Sequence, residues 1–303
     1  MKKLICIFTT SIFLLSMTSL AFSESISLSD IEKSDIDNSE ENDVEYYALI
    51  IGVENFSGFY IPPDKTYYLA ETAQGMYDFL KDYPNWKEEN MKLLLDEDGT
   101  KDKIHDAIVN WLDDKEDEND VVLIFYASHG WKTRLKFKEK RYGNAAIFTY
   151  NVTEENKIED KITDIEFDAW VDELESNNIA IILESCYSGK MLALRQRGRV
   201  VLAAGGKYIF CGVDDSDYLK FGIFAQYLIE GFTGVADLNN DGWITAEEAF
   251  RFSRIHTILT SIWEQFPFFQ KYDNRTIFWT FQVPQMYDRY LGSLPLVKLP
   301  DKV

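Results

Sequence analysis

The chain has 303 residues, of which 46% are hydrophobic and 15% aromatic, a composition typical of a globular protein with an ample core. Its formal net charge at neutral pH is −20. This charge argues against nucleic acid and anionic membrane surfaces as partners, because both require basic patches. Only three cysteines occur, so the sequence does not describe a disulfide scaffold.

Residues 1–23 have the pattern of a secretory signal peptide. Two lysines precede the apolar stretch 4–17, and residues 21–23 form a small-x-small cleavage site. A membrane anchor is the alternative, but the apolar stretch is short for a span of about 20 residues. We therefore expect cleavage after Ser23, a secreted or periplasmic location, and no stable membrane insertion of the mature chain.

Residues 24–45 carry nine acidic residues, one lysine and no aromatic residue. Such a segment cannot bury enough apolar surface to order itself. We interpret it as an acidic linker or a pro-segment.

From residue 46 onward, short apolar runs alternate with helical patterns. Strands are predicted at residues 46–53, 91–95, 121–127, 145–150, 179–183, 200–204, 208–212 and 276–283. Helices are predicted at residues 67–83, behind Thr100, from the capping box at 163–166 through 174, and at 221–231 and 246–264. This alternation predicts an α/β fold with a mostly parallel sheet covered by helices on both faces. We assign it one domain, residues 46–283, followed by an uninformative tail at 284–303.

Two of the predicted strands end in chemically useful side chains. The run 121–127 leads into Ser128, His129 and Gly130, and the run 179–183 leads into a segment that contains Cys186. In open α/β sheets, ligands bind at the carboxyl edge of the strands. If the two strands are neighbours, His129 and Cys186 face one crevice.

A histidine beside a cysteine suggests nucleophilic catalysis. The imidazole removes the thiol proton, and the backbone N–H groups of Gly130 and Cys186 are suited to an oxyanion. Either residue alone is more often structural. A Cys186–Cys211 disulfide is the rival interpretation, and it would silence the nucleophile.

The segments 46–53, 120–130 and 179–189 together resemble the caspase-like cysteine peptidases, which include legumains, metacaspases and caspases. The order of His129 and Cys186 and the gap between them match that group. The resemblance covers roughly residues 46–281. It implies a caspase-like three-layer α/β/α sandwich in which His129 is the general base and Cys186 the nucleophile, with Gly130 and Cys186 at the oxyanion.

The same resemblance implies a pocket for the substrate residue before the cut. Glu184 matches the position where relatives place an acid in that pocket, and an acid there suits a basic or amide side chain. Ser185, a small residue, lets a substrate backbone approach the nucleophile. Asp214 and Asp215 follow another predicted strand and are candidates for binding Arg or Lys, although acids in a loop are more often simply solvated.

The stretch 237–248 matches the twelve-residue EF-hand loop position by position. Gly242 permits its sharp turn, and the rival interpretation is an acid-rich helix N-terminus. EF-hands normally pair, and the sequence contains no second such loop. The candidate calcium ligands are Asp237, Asn239, Asp241, the Trp243 carbonyl, Thr245 and Glu248.

The sequence as a whole predicts an exported cysteine endopeptidase that acts on peptide or protein substrates, with structural calcium and no organic cofactor. Two alternatives remain open. One is a non-catalytic protein that binds peptides or partners in the same crevice, and the other is a transpeptidase or ligase that uses the same thioester. The oligomeric state is not predicted.

Overall fold

A six-stranded sheet lies at the centre of the fold. The computed structural model describes residues 44–58, 67–132, 145–155, 157–206, 213–214, 221–269 and 282–300. Five parallel strands are β1 (Tyr46–Gly52), β2 (Met91–Leu95), β3 (Val121–Ala127), β7 (Asn178–Glu184) and β8 (Arg199–Ala203). The sixth, β12 (Gln285–Asp288), runs antiparallel at one edge, and the order is β12-β8-β7-β3-β1-β2.

Helices cover both faces of this sheet, because successive side chains of its buried strands point to opposite faces. One face packs on α1 (Leu69–Leu80), α4 (Ile223–Glu230) and α5 (Ala246–Phe269). The other packs on α2 (Lys101–Asp106), whose last turn widens into a π-helix at Ala107–Leu112, and on α3 (Asp164–Val171). The predicted three-layer α/β/α sandwich is confirmed.

Local sequence signals explain where two of these helices begin. The Thr100 hydroxyl accepts a hydrogen bond from the backbone N–H of Lys103 at the start of α2. At α3, Thr163 and Glu166 form both halves of a capping box. The helix nevertheless ends at Val171, three residues before the predicted end.

Short strands outside the main sheet cover its ends. β4 (Gly130–Lys132), β5 (Ala145–Phe148) and β6 (Lys161–Thr163) form an antiparallel sheet after β3. β9 (Val213–Asp214) pairs with β10 (Phe221–Gly222). β11 (Trp243–Thr245) pairs with β13 (Pro295–Lys298).

The prediction of an uninformative tail after residue 283 is wrong. β12 and β13 both lie there, and the region that we call the C-terminal segment, residues 282–300, belongs to the fold. Its hydrophobic residues Leu294, Leu296 and Val297 are buried in the core. The predicted strand at 208–212 and nearly all of the one at 276–283 lie outside the described residues, as do the leader and most of the acidic segment. Among the described helices, none is both long and apolar enough to cross a bilayer.

Candidate active site

The ends of β3 and β7 lie side by side at the carboxyl edge of the sheet. The two strands pair in parallel register, with Ala127 opposite Glu184. The ladder continues one step further, because the Ser128 N–H donates to the Glu184 carbonyl at 3.3 Å. The residues that follow, His129 and Gly130 on one strand and Ser185 and Cys186 on the other, therefore enter the same region of this edge.

Gly130 packs directly against the backbone of Cys186. A Cβ placed on Gly130 would lie 1.8 Å from the Cys186 carbonyl oxygen and 3.0 Å from the Ser185 hydroxyl oxygen. Gly130 is not among the glycines with positive φ. The position therefore requires glycine because of space and not because of backbone conformation.

Aromatic rings surround the imidazole of His129. Its ring centroid lies 4.7 Å from that of Tyr67 in an edge-on arrangement, 5.8 Å from that of Phe56 and 5.9 Å from that of Phe148. Burial among these groups lowers the pKa of His129 from 6.5 to about 4. The imidazole is therefore neutral at pH 7 and able to accept a proton.

Two hydrogen bonds to the backbone of Phe148, on β5, hold this histidine in place. The Phe148 N–H donates to the His129 carbonyl at 2.9 Å. The Ser128 hydroxyl donates to the Phe148 carbonyl at 2.9 Å. The end of β3 is thus fixed on one side by β7 and on the other by β5.

Glu54, which follows β1, supports the aromatic wall and was not predicted from the sequence. Its buried carboxyl accepts the backbone N–H groups of Tyr67 at 2.6 Å and Leu69 at 2.9 Å. Burial raises the pKa of Glu54, and these two hydrogen bonds lower it in part. The carboxyl fixes the start of α1 and with it the Tyr67 ring against His129. An acid that follows a strand is too common a pattern to have signalled this role.

Cys186 lies in a tight turn, Ser185–Lys190, which we call the Cys186 turn. Tyr187 within it has a left-handed backbone, with φ of 59°, a conformation that costs a non-glycine residue roughly 1–2 kcal/mol. The end of β8 holds the turn: Gly205 N–H donates to the Ser188 hydroxyl at 3.0 Å, and Gly189 N–H donates to the Gly205 carbonyl at 2.8 Å. These contacts offset the cost of the backbone conformation.

Glu184, the predicted pocket acid, is buried and not at the surface. Only 1% of it is exposed. One carboxyl oxygen accepts the Ala225 N–H at 2.7 Å near the start of α4, and the other has no hydrogen-bond partner among the described residues. Burial raises the pKa of Glu184 to about 8, so the carboxyl is largely protonated at neutral pH. Gly222 packs on this side chain so closely that a Cβ there would lie 2.6 Å from its carboxyl carbon.

The other predicted pocket residues are placed only in part. Ser185 is 2% exposed, and its hydroxyl donates to the Cys186 carbonyl at 3.2 Å. Asp214 ends β9, opposite Phe221 of β10. Asp215 lies outside the described residues, as does Cys211, the proposed disulfide partner of Cys186.

Polar side chains of the loop 237–248 accept hydrogen bonds from backbone N–H groups of the same loop. Asn240 and Gly242 have left-handed φ angles of 58° and 84°. The Asp237 carboxylate accepts the N–H groups of Asp241 and Gly242, both at 3.2 Å. Its last residue, Glu248, accepts the Thr245 N–H at 3.1 Å.

The C-terminal segment packs against the loop 237–248. Trp243–Thr245, the stretch at loop positions seven to nine, pairs with β13. The Leu299 N–H donates to the Gly242 carbonyl at 2.8 Å, and the Glu247 carboxyl accepts the Leu294 N–H at 3.0 Å.

The donor set of this loop is all oxygen, which fits calcium. It contains three carboxylates, one amide, one hydroxyl and one backbone carbonyl. Asn239, Asp241, Trp243, Thr245 and Glu248 also line a common open cleft of about 550 Å³. However, no three His, Cys, Asp or Glu side chains gather into a metal site anywhere in the described ranges. The carboxylates of Asp237, Asp241 and Glu248 accept hydrogen bonds from backbone N–H groups, which is consistent with that result.

Comparison with known proteins finds a family match over the part of the chain that contains His129 and Cys186. The family model described as metacaspase, peptidase C14 domain, matches residues 48–195, a range that includes both residues. The curated proteins contain no significant match. A crystal structure of protein GSU0716 from Geobacter sulfurreducens matches 84% of this chain and all of its own, at 11% identity and a TM-score of 0.53. At that identity it supports the fold alone. Residues 48–195, slightly under half of the chain, are therefore similar to the metacaspase, peptidase C14 domain.

Proposed function

We propose that this chain is an exported cysteine endopeptidase in which Cys186 is the nucleophile and His129 the general base. The observation that carries the proposal is the direct packing of Gly130 on the Cys186 backbone. Gly130, which follows His129, thereby lies against Cys186 at one point of the sheet edge, within the range that matches the metacaspase, peptidase C14 family model.

The proposed reaction is acyl transfer. Neutral His129 takes the thiol proton of Cys186, and the sulfur attacks the carbonyl carbon of the scissile peptide bond. The backbone N–H groups of Gly130 and Cys186 stabilise the resulting oxyanion. The imidazolium then gives its proton to the departing amine as the C–N bond breaks and a thioester remains. Water, deprotonated by the same imidazole, hydrolyses the thioester and restores the thiol.

The aromatic wall of Tyr67, Phe56 and Phe148 keeps the imidazole of His129 neutral at pH 7, which is the form that can take a proton, although a pKa of about 4 makes it a weak base on its own. A Cys186 thiolate formed beside it would raise this pKa, because a neighbouring negative charge favours the imidazolium. Specificity is proposed to favour basic or amide side chains before the cut, through Glu184, Ser185, Asp214 and Asp215. Because Glu184 is only 1% exposed, a substrate side chain does not reach its carboxyl in this structure, and the preference for Arg or Lys rests on Asp214 and Asp215.

Covalent labelling tests the nucleophile and the specificity together. Peptidyl acyloxymethyl ketones with Arg, Lys, Asn or Asp next to the warhead are incubated with the protein, and intact mass and peptide mapping locate the adduct. We expect one adduct, on Cys186, with the Arg or Lys probe reacting fastest. Cys186→Ala should remove the adduct and all peptide turnover while the melting temperature is kept.

The labelling control is Tyr227→Phe, which removes a hydroxyl contact to Thr260 between α4 and α5 and leaves the hydrogen bonds of the Cys186 turn in place. It should still form the adduct. If folded wild-type protein with a reduced Cys186 formed no adduct with any of the four probes, the peptidase proposal would fail, and a peptide-binding protein would be the better description.

Calcium is proposed as a structural ion at the loop 237–248, held by Asp237, Asn239, Asp241, the Trp243 carbonyl, Thr245 and Glu248. Its contribution would be to neutralise three carboxylates and to fix the loop against β13. Ligand binding to the folded state at 100 times its Kd is worth about 2.7 kcal/mol, so calcium should raise the melting temperature measurably.

The calcium test compares Glu248→Gln with Glu230→Gln, an exposed glutamate at the end of α4 outside the loop. Glutamine at 248 keeps an acceptor for the Thr245 N–H but loses a charge. We expect Glu248→Gln to lose most of the calcium-induced rise in melting temperature and Glu230→Gln to keep it. An equal loss of stability by Glu248→Gln in chelator and in calcium would contradict the proposal.

A further inference from the structure

A third hydrogen bond holds the Cys186 turn, and its donor lies on β12, late in the sequence. Tyr287, on β12, donates a hydrogen bond from its hydroxyl to the Gly189 carbonyl at 2.8 Å. Gly189 lies three residues after Cys186. The two partners are 98 residues apart in sequence.

The Tyr287 ring is held firmly, so its hydroxyl has a fixed position. β12 pairs with β8, with Tyr287 opposite Val201. On one face of the ring, the Arg195 guanidinium lies 3.3 Å from the ring centroid, a cation–π stack. The Arg195 Nε is buried and has no hydrogen-bond partner among the described residues, so this stacking is a principal contact of that guanidinium.

The turn needs this support because it is short and conformationally costly. Tyr187 is left-handed, and the next three residues, Ser188–Lys190, form a single 3₁₀ turn. Gly205 holds the N–H of Gly189, and Tyr287 holds its carbonyl. The backbone N–H and the carbonyl of one residue, Gly189, are therefore both fixed, the N–H by the segment after β8 and the carbonyl by β12.

We propose that Tyr287 is a positioning residue for the reaction: its hydroxyl holds the Cys186 turn in the geometry that presents the thiol and its backbone N–H to the substrate. This inference rests on the proposed role of Cys186 as the nucleophile. Tyr287 acts through Gly189 and touches no reacting atom.

The test is Tyr287→Phe, which removes the hydroxyl and keeps the ring on Arg195. The matched control is Tyr227→Phe, which removes a comparable hydroxyl contact, to Thr260 at 2.6 Å between α4 and α5. One lost hydrogen bond corresponds to a roughly three- to tenfold fall in rate. We expect that fall in kcat for Tyr287→Phe with KM within about twofold, and an unchanged kcat for Tyr227→Phe.

A second readout does not depend on peptide cleavage. The rate of Cys186 alkylation by iodoacetamide is measured from pH 5 to 10 in the wild type and in both variants. Loosening the turn should slow alkylation at neutral pH and raise the apparent thiol pKa in Tyr287→Phe, with no change in Tyr227→Phe. Peptide-mapped mass spectrometry assigns the modification to Cys186.

The outcomes separate this inference from the proposed function. If the ketone probes and peptides fail on the wild type, the proposed function fails, and alkylation alone still decides whether Tyr287 positions the thiol. If the wild type turns over peptides and Tyr287→Phe matches it in kcat and in the alkylation profile, Tyr287 is only structural and the inference is overturned.

Discussion

Replacing Gly130 by alanine tests the closest approach in the candidate site. The new Cβ would lie 1.8 Å from the Cys186 carbonyl oxygen and 2.8 Å from the carbonyl carbon. Cβ contacts under 3.0 Å are essentially never observed, so the ends of β3 and β7 must separate by about 1.2 Å or more. Both obstacles are backbone atoms, which do not rotate away as the end of a flexible side chain would.

This displacement should cost much more activity than stability. Misplacing a reacting group by about 1 Å lowers a rate by roughly 100-fold, so we expect kcat/KM of Gly130→Ala to fall by about that factor or more. Overpacking in a folded structure typically costs about 1–3 kcal/mol, which leaves the protein folded. The Ser128-to-Glu184 hydrogen bond, already 3.3 Å long, is the first contact that should break.

The assay measures kcat/KM on a peptide together with the rate of Cys186 adduct formation, and unfolding is followed by circular dichroism in urea. Gly231→Ala is the matched control, because a Cβ there would lie 3.3 Å from the Phe252 ring and 3.6 Å from Ala236 Cβ and Ala249 Cα, in a helical backbone. If Gly130→Ala kept wild-type rates in both assays, the conclusion that the close approach of Gly130 to the Cys186 backbone is needed for activity would be wrong.

Two further predictions concern stability. The folded-state pKa of His129 is lowered from 6.5 to about 4, so the contribution of the neutral imidazole to folding stability is complete above pH 6.5 and is lost as the pH falls to 4. In urea titrations, the difference in unfolding free energy between the wild type and His129→Gln should therefore shrink by at most about 3 kcal/mol over that range. A pH-independent difference would contradict the burial of a neutral imidazole. Arg199 is 4% exposed and forms ion pairs with Asp168 at 2.8 Å and Asp172 at 2.6 Å. Arg199→Ala should lower the free energy of unfolding by about 3 kcal/mol, because the largely buried Asp168 loses its positively charged partner. Asp172→Asn, which changes the exposed partner, should lower it by less than about 1 kcal/mol.

The sheet and the two catalytic candidates were accessible from the sequence because their signals are local. β3 and β7 are uninterrupted apolar runs, and parallel strands that are buried on both faces have this pattern. The capping box at Thr163 and Glu166 also needs only four consecutive residues. Once two such strands pair in register, the residues after them are adjacent, so the order of elements alone brought His129 close to Cys186.

The contacts that were missed join residues distant in sequence. β12 and β13 are four residues each, and their pairing with β8 and β11 depends on tertiary packing that no local pattern encodes. The bond between Tyr287 and Gly189 has the same origin. The burial of Glu184 was also not predicted, because it depends on the packing of α4, which places the Ala225 N–H within hydrogen-bond distance of the Glu184 carboxyl.

The position of Tyr287 in the chain sets an order on the assembly of the site. Protein synthesis proceeds at about 5–20 residues per second, so Tyr287 leaves the ribosome's catalytic centre roughly 5–20 s after Gly189, given their separation of 98 residues. During that interval the nascent chain has the thiol and the imidazole but not the strand that steadies the Cys186 turn. The order of synthesis would therefore delay the full reactivity of the Cys186 thiol. Until Tyr287 is in place, the nascent chain and neighbouring proteins would meet a thiol that is poorly positioned for peptide cleavage.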